Sequence, residues 1–311
     1  MEMKSVNIIR NPLFSVLIAN HNNACYLEDA LRSVYAQTYT NWEIVILDDG
    51  STDSSKAVYE SLKDNPQIRI YYNGSCRGVG YTKNELISLA KGQICGFLDA
   101  DDRLEENAIE VMINMHLAHP ECSLIYSKFR ELSQQDILKE TTIPLGAIRK
   151  DEDLLISSWN MISHFATFKQ VAYAHTIGIN IALRSAEDRD LYLKLEESGR
   201  ILYVDRNLYQ YRVDNVNSIS RGNINKERNA QYYLAIANLN AYWRRIDSKH
   251  NLFLNNKEKY HDGIIGEVKR LKRNKLVQAD SFLILRFIWF YLKINQFSLK
   301  AIKRTIKIMI Q

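Results

Sequence analysis

Few breakers interrupt this sequence: four prolines and twelve glycines among 311 residues argue against a linker-rich or disordered chain. Cysteine is equally scarce. Cys25, Cys76, Cys95 and Cys122 lie 51, 19 and 27 residues apart, which matches no common zinc or redox spacing, so four reduced thiols are expected. Met1 to Asn11 carries charged and polar residues and lacks the apolar stretch of a secretion signal. The longest apolar run, Ser281 to Leu292, is broken by Arg286 and falls well short of the roughly 20 residues that span a bilayer. A cytoplasmic chain is the expectation.

What is present is a large apolar fraction, 46%, enough for a sizeable core. The net charge of +5 conceals a division. Residues 269–311 hold eleven Lys/Arg against one acid, Asp280, a net of +10, which leaves a net of −5 on residues 1–268. A basic tail on an acidic body predicts a polyanionic partner surface, membrane or nucleic acid.

The first hundred residues alternate strand and helix. Apolar runs at Phe14 to Ala19, Glu43 to Leu47, Ile68 to Tyr72 and Ile94 to Leu98 read as strands. Helical spacing separates them: Leu27, Ala30, Leu31 and Val34; then Ser54 to Leu62; then a helix closing over Leu86 to Ala90. This order predicts βαβ units and a mostly parallel sheet. Beyond it, Glu105 to His116 reads as a helix and Ser123 to Ser127 as a strand, whereas 128–150 is polar with few signals. Glu187 to Ser198 reads as a helix stopped by Gly199, followed by a strand at Ile201 to Val204. From about Asn223 the pattern is helical almost throughout.

Two of the strands end in carboxylates: Asp48 and Asp49 after the second, Asp99, Asp101 and Asp102 after the fourth. In an open α/β sheet, ligands bind beyond the carboxyl ends of strands. Five carboxylates gathered there repel one another unless a cation sits among them. Hard oxygen donors suit Mg²⁺ or Mn²⁺, which typically bridge protein carboxylates to a substrate phosphate. The structural alternative makes Asp48 to Asp53 a turn and Asp101/Asp102 the caps of the next helix. A dinucleotide fold is poorly supported, because Gly78-Val79-Gly80 lacks the third glycine, Lys83 standing in its place.

Six ordered segments resemble the family 2 glycosyltransferases of GT-A fold, over about 12–220. They are Phe14-Ser-Val-Leu-Ile-Ala-Asn-His-Asn22; Tyr26-Leu-Glu-Asp-Ala-Leu-Arg-Ser33 with Gln37; Asp48-Asp-Gly-Ser-Thr-Asp53; Gly78-Val-Gly-Tyr-Thr-Lys-Asn84; Phe97-Leu-Asp-Ala-Asp-Asp102; and Ala186-Glu-Asp188. Tyr211-Arg212 with Ser218 and Ser220 resembles the closing motif.

The resemblance implies a GT-A catalytic domain over 1–222, with a nucleotide half of about 12–105 and an acceptor half of about 106–222. A helical, basic extension occupies 223–311. It implies Ala19, Asn20, His21, Asp48, Asp49, Lys83 and Asp99 at the nucleotide, with Asp48 and Asp49 at the base and Asp99 at the ribose. Asp101 would bind Mn²⁺ or Mg²⁺, and Asp188, with Glu187 beside it, would be the general base in a single inverting displacement. Three positions depart from the family pattern. His21 replaces a stacking tyrosine, Lys83 an arginine, and Asp214 a histidine that in some members is a second metal ligand. His164, in Ser-His-Phe-Ala-Thr-Phe168, matches a family segment near the acceptor cleft, and packing accounts for it equally. Read without that context, Glu187 and Asp188 are carboxylates meeting a helix dipole. His116 and His119 read as exposed helix-end residues.

The expected reaction moves a sugar from a nucleoside diphosphate, UDP by family habit, to a hydroxyl of a glycan. In the tail, Lys293, Lys300, Lys303, Arg304 and Lys307 alternate with Ile294, Phe297, Ile302, Ile306 and Ile310, a pattern for a helix lying on an anionic membrane. That places the chain at the inner face of the cell membrane and suggests a lipid-linked acceptor in surface polysaccharide synthesis. The alternative packs the stripe on the catalytic domain or a second subunit. A non-catalytic adaptor and a sugar nucleotidyltransferase are the competing functions. The body lacks the aromatic–basic interleaving of a nucleic-acid binder.

Overall fold

A computed structural model describes residues 11–157, 162, 164–213, 224–273 and 292. The first hundred residues run β1 (Phe14–Asn20), α1 (Ala24–Tyr35), β2 (Trp42–Asp48), α2 (Ser55–Leu62), β3 (Ile68–Tyr72), α3 (Val79–Leu89) and β4 (Ile94–Phe97). There follow β5 (Arg103–Leu104), α4 (Ala108–Ala118), β6 (Cys122–Leu132), β7 (Leu138–Glu140), β8 (Ala166–Lys169), α5 (Gln170–Ala174), α6 (Glu187–Ser198) and β9 (Arg200–Arg212). Three helices close the described chain: α7 (Ile224–Asp247), α8 (Asn251–Leu254) and α9 (Lys257–Arg273).

The strands form one sheet in the order β3-β2-β1-β4-β8-β6-β9-β5, with β7 beside β6. β3, β2, β1 and β4 are parallel, β8 runs against both β4 and β6, and β9 is again parallel to β6. The mostly parallel α/β sheet expected from the alternation is therefore present. Strand order reverses between β1 and β4, the kind of switch point where a crevice opens beyond the strand ends.

Burial explains the local choices. β2 is buried at every position, as a central parallel strand must be, and α1 buries Leu27, Ala30, Leu31 and Val34 on one stripe. One apolar cluster fills the α1, α2 and α4 face of the sheet, and a second fills the α3 and α6 face. Helix α6 is buried nearly all round, from Leu191 through Glu196. It ends at Gly199, which is extended and where a Cβ would lie 2.9 Å from the Ser123 side chain.

Several boundaries differ from the pattern-based expectation. α4 begins at Ala108, so Asp101 and Asp102 do not cap it. β6 continues to Leu132 and β9 to Arg212, pairing along their length across a bulged register near Ser127 to Phe129. His116 is buried at 2% exposure, not exposed, and its Nε2 lies 3.0 Å from the Thr167 hydroxyl on β8. None of the cysteines is disulfide-bonded.

The helices after β9 lie against the body that carries the sheet. α7 packs on α6, and Tyr242, Tyr260, Ile264 and Val268 form a third apolar cluster reached by Leu155 and Ile156. No helix among the described residues is long and apolar enough to cross a membrane. The tail pattern beyond Arg273, apart from Leu292, lies outside the described residues, as does Asp214.

Candidate active site

The β1 and β2 ends lie side by side, with Asn20 opposite Asp48. Asp48 is buried and accepts from the Ser51 amide (2.7 Å) and the Tyr59 hydroxyl (2.6 Å). Asn20 Nδ2 donates to Tyr59 Oη at 2.7 Å and Ser55 Oγ at 2.9 Å, which ties β1 to α2. Asp49 is equally buried and gathers the loop after β3. Asn73 Nδ2 (2.7 Å), the Arg77 amide (2.8 Å), the Gly78 amide (2.9 Å) and the Cys76 thiol (3.3 Å) all donate to it. Burial opposes its charge, but these donors outweigh burial and hold its pKa below the usual carboxylate range. The exposed His21 ring has Nδ1 2.9 Å from the Asp49 carbonyl, and Ala19 is part-exposed beside it. An open depression next to these residues is lined by Asp48, Ser51, Lys56, Tyr59, Glu60 and Tyr72.

Gly78 explains itself in this setting. Its φ of +92° is left-handed, where glycine is favoured, and it lets the chain turn its amide onto Asp49 before entering α3. Gly80 allows α3 to approach the segment before α6, since a Cβ there would lie 2.7 Å from the Leu183 carbonyl.

Beyond β4, the Asp99 to Asp102 turn is fastened by the end of β9. Asp102, 1% exposed, accepts from the Tyr209 hydroxyl and the Arg212 amide, both at 2.7 Å. Arg212 Nε donates to the Asp101 carbonyl at 2.8 Å, and the Asp99 amide donates to Tyr209 Oη at 3.1 Å. Burial, then the charges of Asp101 and Asp99, push the Asp102 pKa well above the carboxylate range. The Asp99 and Asp101 side chains remain partly open. One ligand atom each from Asp99, Asp102 and His164 lie within 4.8 Å of one another. His164 is stacked on Tyr211 at 3.8 Å and packs edge-on to Phe129. Crowded carboxylates with an imidazole at their side form a donor set that fits a hard or borderline divalent cation.

Lys83 connects this turn to the start of α6. Its ammonium is 2.8 Å from Glu187 Oε1 and 3.8 Å from Asp99 Oδ1. Burial works against the lysine charge, but Glu187, Asp99 and Asp188 hold its pKa well above the usual lysine range. Asp188 keeps a solvent-exposed face in a cleft crowded with protein atoms. That crowding, then the Glu187 charge, push its pKa up to about 6, against the pull of Lys83 and the Arg189 amide. No side chain caps α6, whose N-cap Ala186 is left-handed at φ 59°. The two strand-end motifs thus lie at one end of the sheet, and Lys83 ties the second of them to the helix-start acidic pair.

Residues 15–176 match the model of the family described as Glycosyl transferase family 2. The chain belongs to that family.

Among its relatives, this family 2 chain is 28% identical over 228 residues to a chondroitin synthase of Escherichia coli, covering 73% of the chain and 33% of that protein. It is 29% identical over 212 residues to a hyaluronan synthase of Pasteurella multocida, covering 67% of the chain and 21% of that protein. The chain thus spans a third or less of the length of these relatives. Solved structures share the GT-A fold. Staphylococcus aureus TarS 1-349 in complex with UDP-GlcNAc superposes with a TM-score of 0.59 at 17% identity, over 84% of this chain and 82% of that one. The mannosyltransferase PcManGT of Pyrobaculum calidifontis, in complex with GDP-Man and Mn²⁺, gives 0.58 at 15% identity, over 97% and 85%.

Of the residues expected from sequence, the family 2 fold brings Ala19, Asn20, His21, Asp48, Asp49, Lys83, Asp99, Asp101, Glu187 and Asp188 to one end of the sheet. Arg212 enters the sequence reading only as part of the closing motif, and the roles of Tyr209, Arg189 and the ligand-like placement of His164 have no signal there. The contacts of Tyr209 and Arg212 with Asp102 join residues more than a hundred positions apart, which local sequence cannot show.

Proposed function

We propose that this chain is an inverting transferase that moves a sugar from a nucleoside diphosphate, preferentially UDP, to a hydroxyl of a glycan. The observation that carries the reading is Lys83, which joins the strand-end Asp99 to the Glu187/Asp188 pair in a single cleft. A relative named hyaluronan synthase and a neighbour bound to UDP-GlcNAc support an aminohexose donor and a polysaccharide acceptor.

Asp101 and Asp99, with Asp102 and His164 at hand and Asp214 by resemblance, would hold Mn²⁺ or Mg²⁺. Such a cation supplies Lewis-acid stabilisation of the departing diphosphate. Ala19, Asn20 and His21 would line the base side with Asp48 and Asp49, whose carboxylates are buried and already accept from Ser51, Tyr59 and the loop after β3, and Asp99 would face the ribose. Asp188 accepts the acceptor hydroxyl's proton on a carboxylate oxygen as the new glycosidic bond forms. Lys83 sits between donor and base and contributes positive charge where the diphosphate would lie. Nucleotide sugars incubated with the chain, Mn²⁺ and glycan acceptors should yield free UDP and a lengthened glycan. No release from any nucleotide sugar would overturn the reading.

Cation dependence follows from the Asp99 to Asp102 turn. UDP binding measured calorimetrically is expected to need Mn²⁺ or Mg²⁺, and Asp101→Asn to remove most of that dependence along with activity. EDTA-resistant UDP binding of undiminished affinity would count against it.

The basic tail supports a peripheral position at the inner face of the membrane, with a lipid-linked acceptor. Deleting 277–311 should release the protein from anionic vesicles at low salt while leaving donor hydrolysis largely intact. Full-length protein that fails to co-sediment with those vesicles would instead favour packing of the tail on protein.

A further inference from the structure

Asp188 lies in the first turn of α6, and the helices after β9 grip that helix at both ends. At the far end, Arg245 binds Glu196 (2.8 Å), Glu197 (3.1 Å) and the Leu193 carbonyl (3.0 Å), which anchors the helix firmly. The near end is held differently. Arg189 Nε donates to Asn238 Oδ1 on α7 at 3.0 Å, and its Nη2 binds the Leu154 carbonyl. Asn238 Nδ2 passes the chain on to Glu267 Oε1 on α9 at 3.0 Å, and Arg270 holds both Glu267 oxygens. Asn238 and Glu267 are both buried. The Arg189 amide, in turn, donates to Asp188 Oδ1 at 2.6 Å.

Arg189 is an expensive choice for anchoring alone. Among the described residues no carboxylate lies within ion-pair distance of its guanidinium; its direct acceptors are neutral, and the more distant charges of Glu196 and Glu267 do not make up for its desolvation, which lowers its pKa. Arg245 already secures α6, and an apolar residue at 189 would pack there at less cost. What distinguishes the position is its neighbour.

We infer that Arg189, Asn238 and Glu267 form a positioning chain by which the helices after β9 hold the Asp188 carboxylate in its working orientation. Fixing the guanidinium fixes the first turn of α6, and with it the amide that binds Asp188. The inference rests on Asp188 being the general base of the proposed transfer.

Arg189→Met keeps the backbone amide and most of the volume but frees the turn. UDP release from UDP-N-acetylglucosamine should fall at least tenfold in kcat, with donor KM and UDP affinity within about twofold. The acid limb of the pH–rate profile should move upward as the amide contact loosens, and the melting temperature should hold or rise, since a part-buried, poorly compensated cation is gone. Asn238→Leu should lower kcat in the same way. Asn238→Asp combined with Glu267→Gln, which preserves an acceptor for Arg189 and a donor to residue 238, should restore it. A purely structural role predicts the reverse: kcat unchanged in folded Arg189→Met, or kcat falling only in step with melting temperature across the set. Either result overturns the inference. The Asp188 titration, followed by carbon-detected NMR in wild type and Arg189→Met, needs no substrate. An unmoved titration also overturns the positioning chain, whereas wild type that releases no UDP defeats the transferase reading and leaves the titration to decide the chain.

Discussion

Asp188→Asn is expected to lower turnover by ~10²–10⁴-fold, the usual contribution of general-base assistance, with affinity for UDP and Mn²⁺ nearly unchanged. Asparagine is almost isosteric and can still accept from the Arg189 amide, so the start of α6 should remain intact. The substitution removes the capacity to take a proton and little else. A pH profile gives a second handle. A general base works deprotonated, and crowding and Glu187 push Asp188 up to about 6, so in the proposed mechanism the wild-type rate should be full above that pH and fall as pH drops through it. The acid limb should be absent in Asp188→Asn. A folded variant that binds UDP–Mn²⁺ and transfers sugar at near wild-type rate would remove Asp188 from the mechanism and make Glu187 the next carboxylate to test.

Arg245→Ala should be the most destabilising single change in the described chain. The Arg245 side chain is wholly buried among Asp153 (3.4 Å), Glu196 (2.8 Å), Glu197 (3.1 Å) and the Tyr260 hydroxyl (3.1 Å). Removing one partner of a buried ionic set typically costs about 3–5 kcal/mol, because the remaining charge is stranded. Part of that cost has an outlet. Burial, despite Arg245, already raises the Glu196 pKa to about 7, so Glu196 can take a proton when the arginine is lost. The loss should therefore be smaller at pH 6 than at pH 8. Urea denaturation at both pH values, with the slope unchanged, measures it. A midpoint unmoved at pH 8 would mean that the network carries no stability.

The parts of the site that were readable from sequence are those where strand, turn and chemistry are contiguous. An apolar run ending in Asp48-Asp49-Gly50 or Asp99-Ala100-Asp101 states both the strand and what lies at its tip. The 187–198 helix was equally plain, since its acidic start and Gly199 bound it. β9 was read short because its apolar run is interrupted at Asp205, Arg206 and Asn207, opposite the bulged stretch of β6. His116 looked like a solvated helix end before Pro120. Its actual partner, Thr167, arrives on a strand fifty-one residues later, and burial there lowers the histidine pKa to about 3. His164 and Tyr209 were opaque for the same reason, as their meaning lies in residues brought to them by the sheet.

Lys83 has a consequence of a different kind. Its single ammonium serves Glu187 at the start of α6 and Asp99 beyond β4 at once. An incoming diphosphate that draws on this charge competes with Glu187 for it. By thermodynamic reciprocity, whatever that anion gains from Lys83 at Glu187's expense weakens the lysine–glutamate pair by the same free energy. Glu187 with less compensation raises the proton affinity of Asp188 beside it. Anion binding at Lys83 and the basicity of Asp188 are therefore one equilibrium, coupled through one nitrogen.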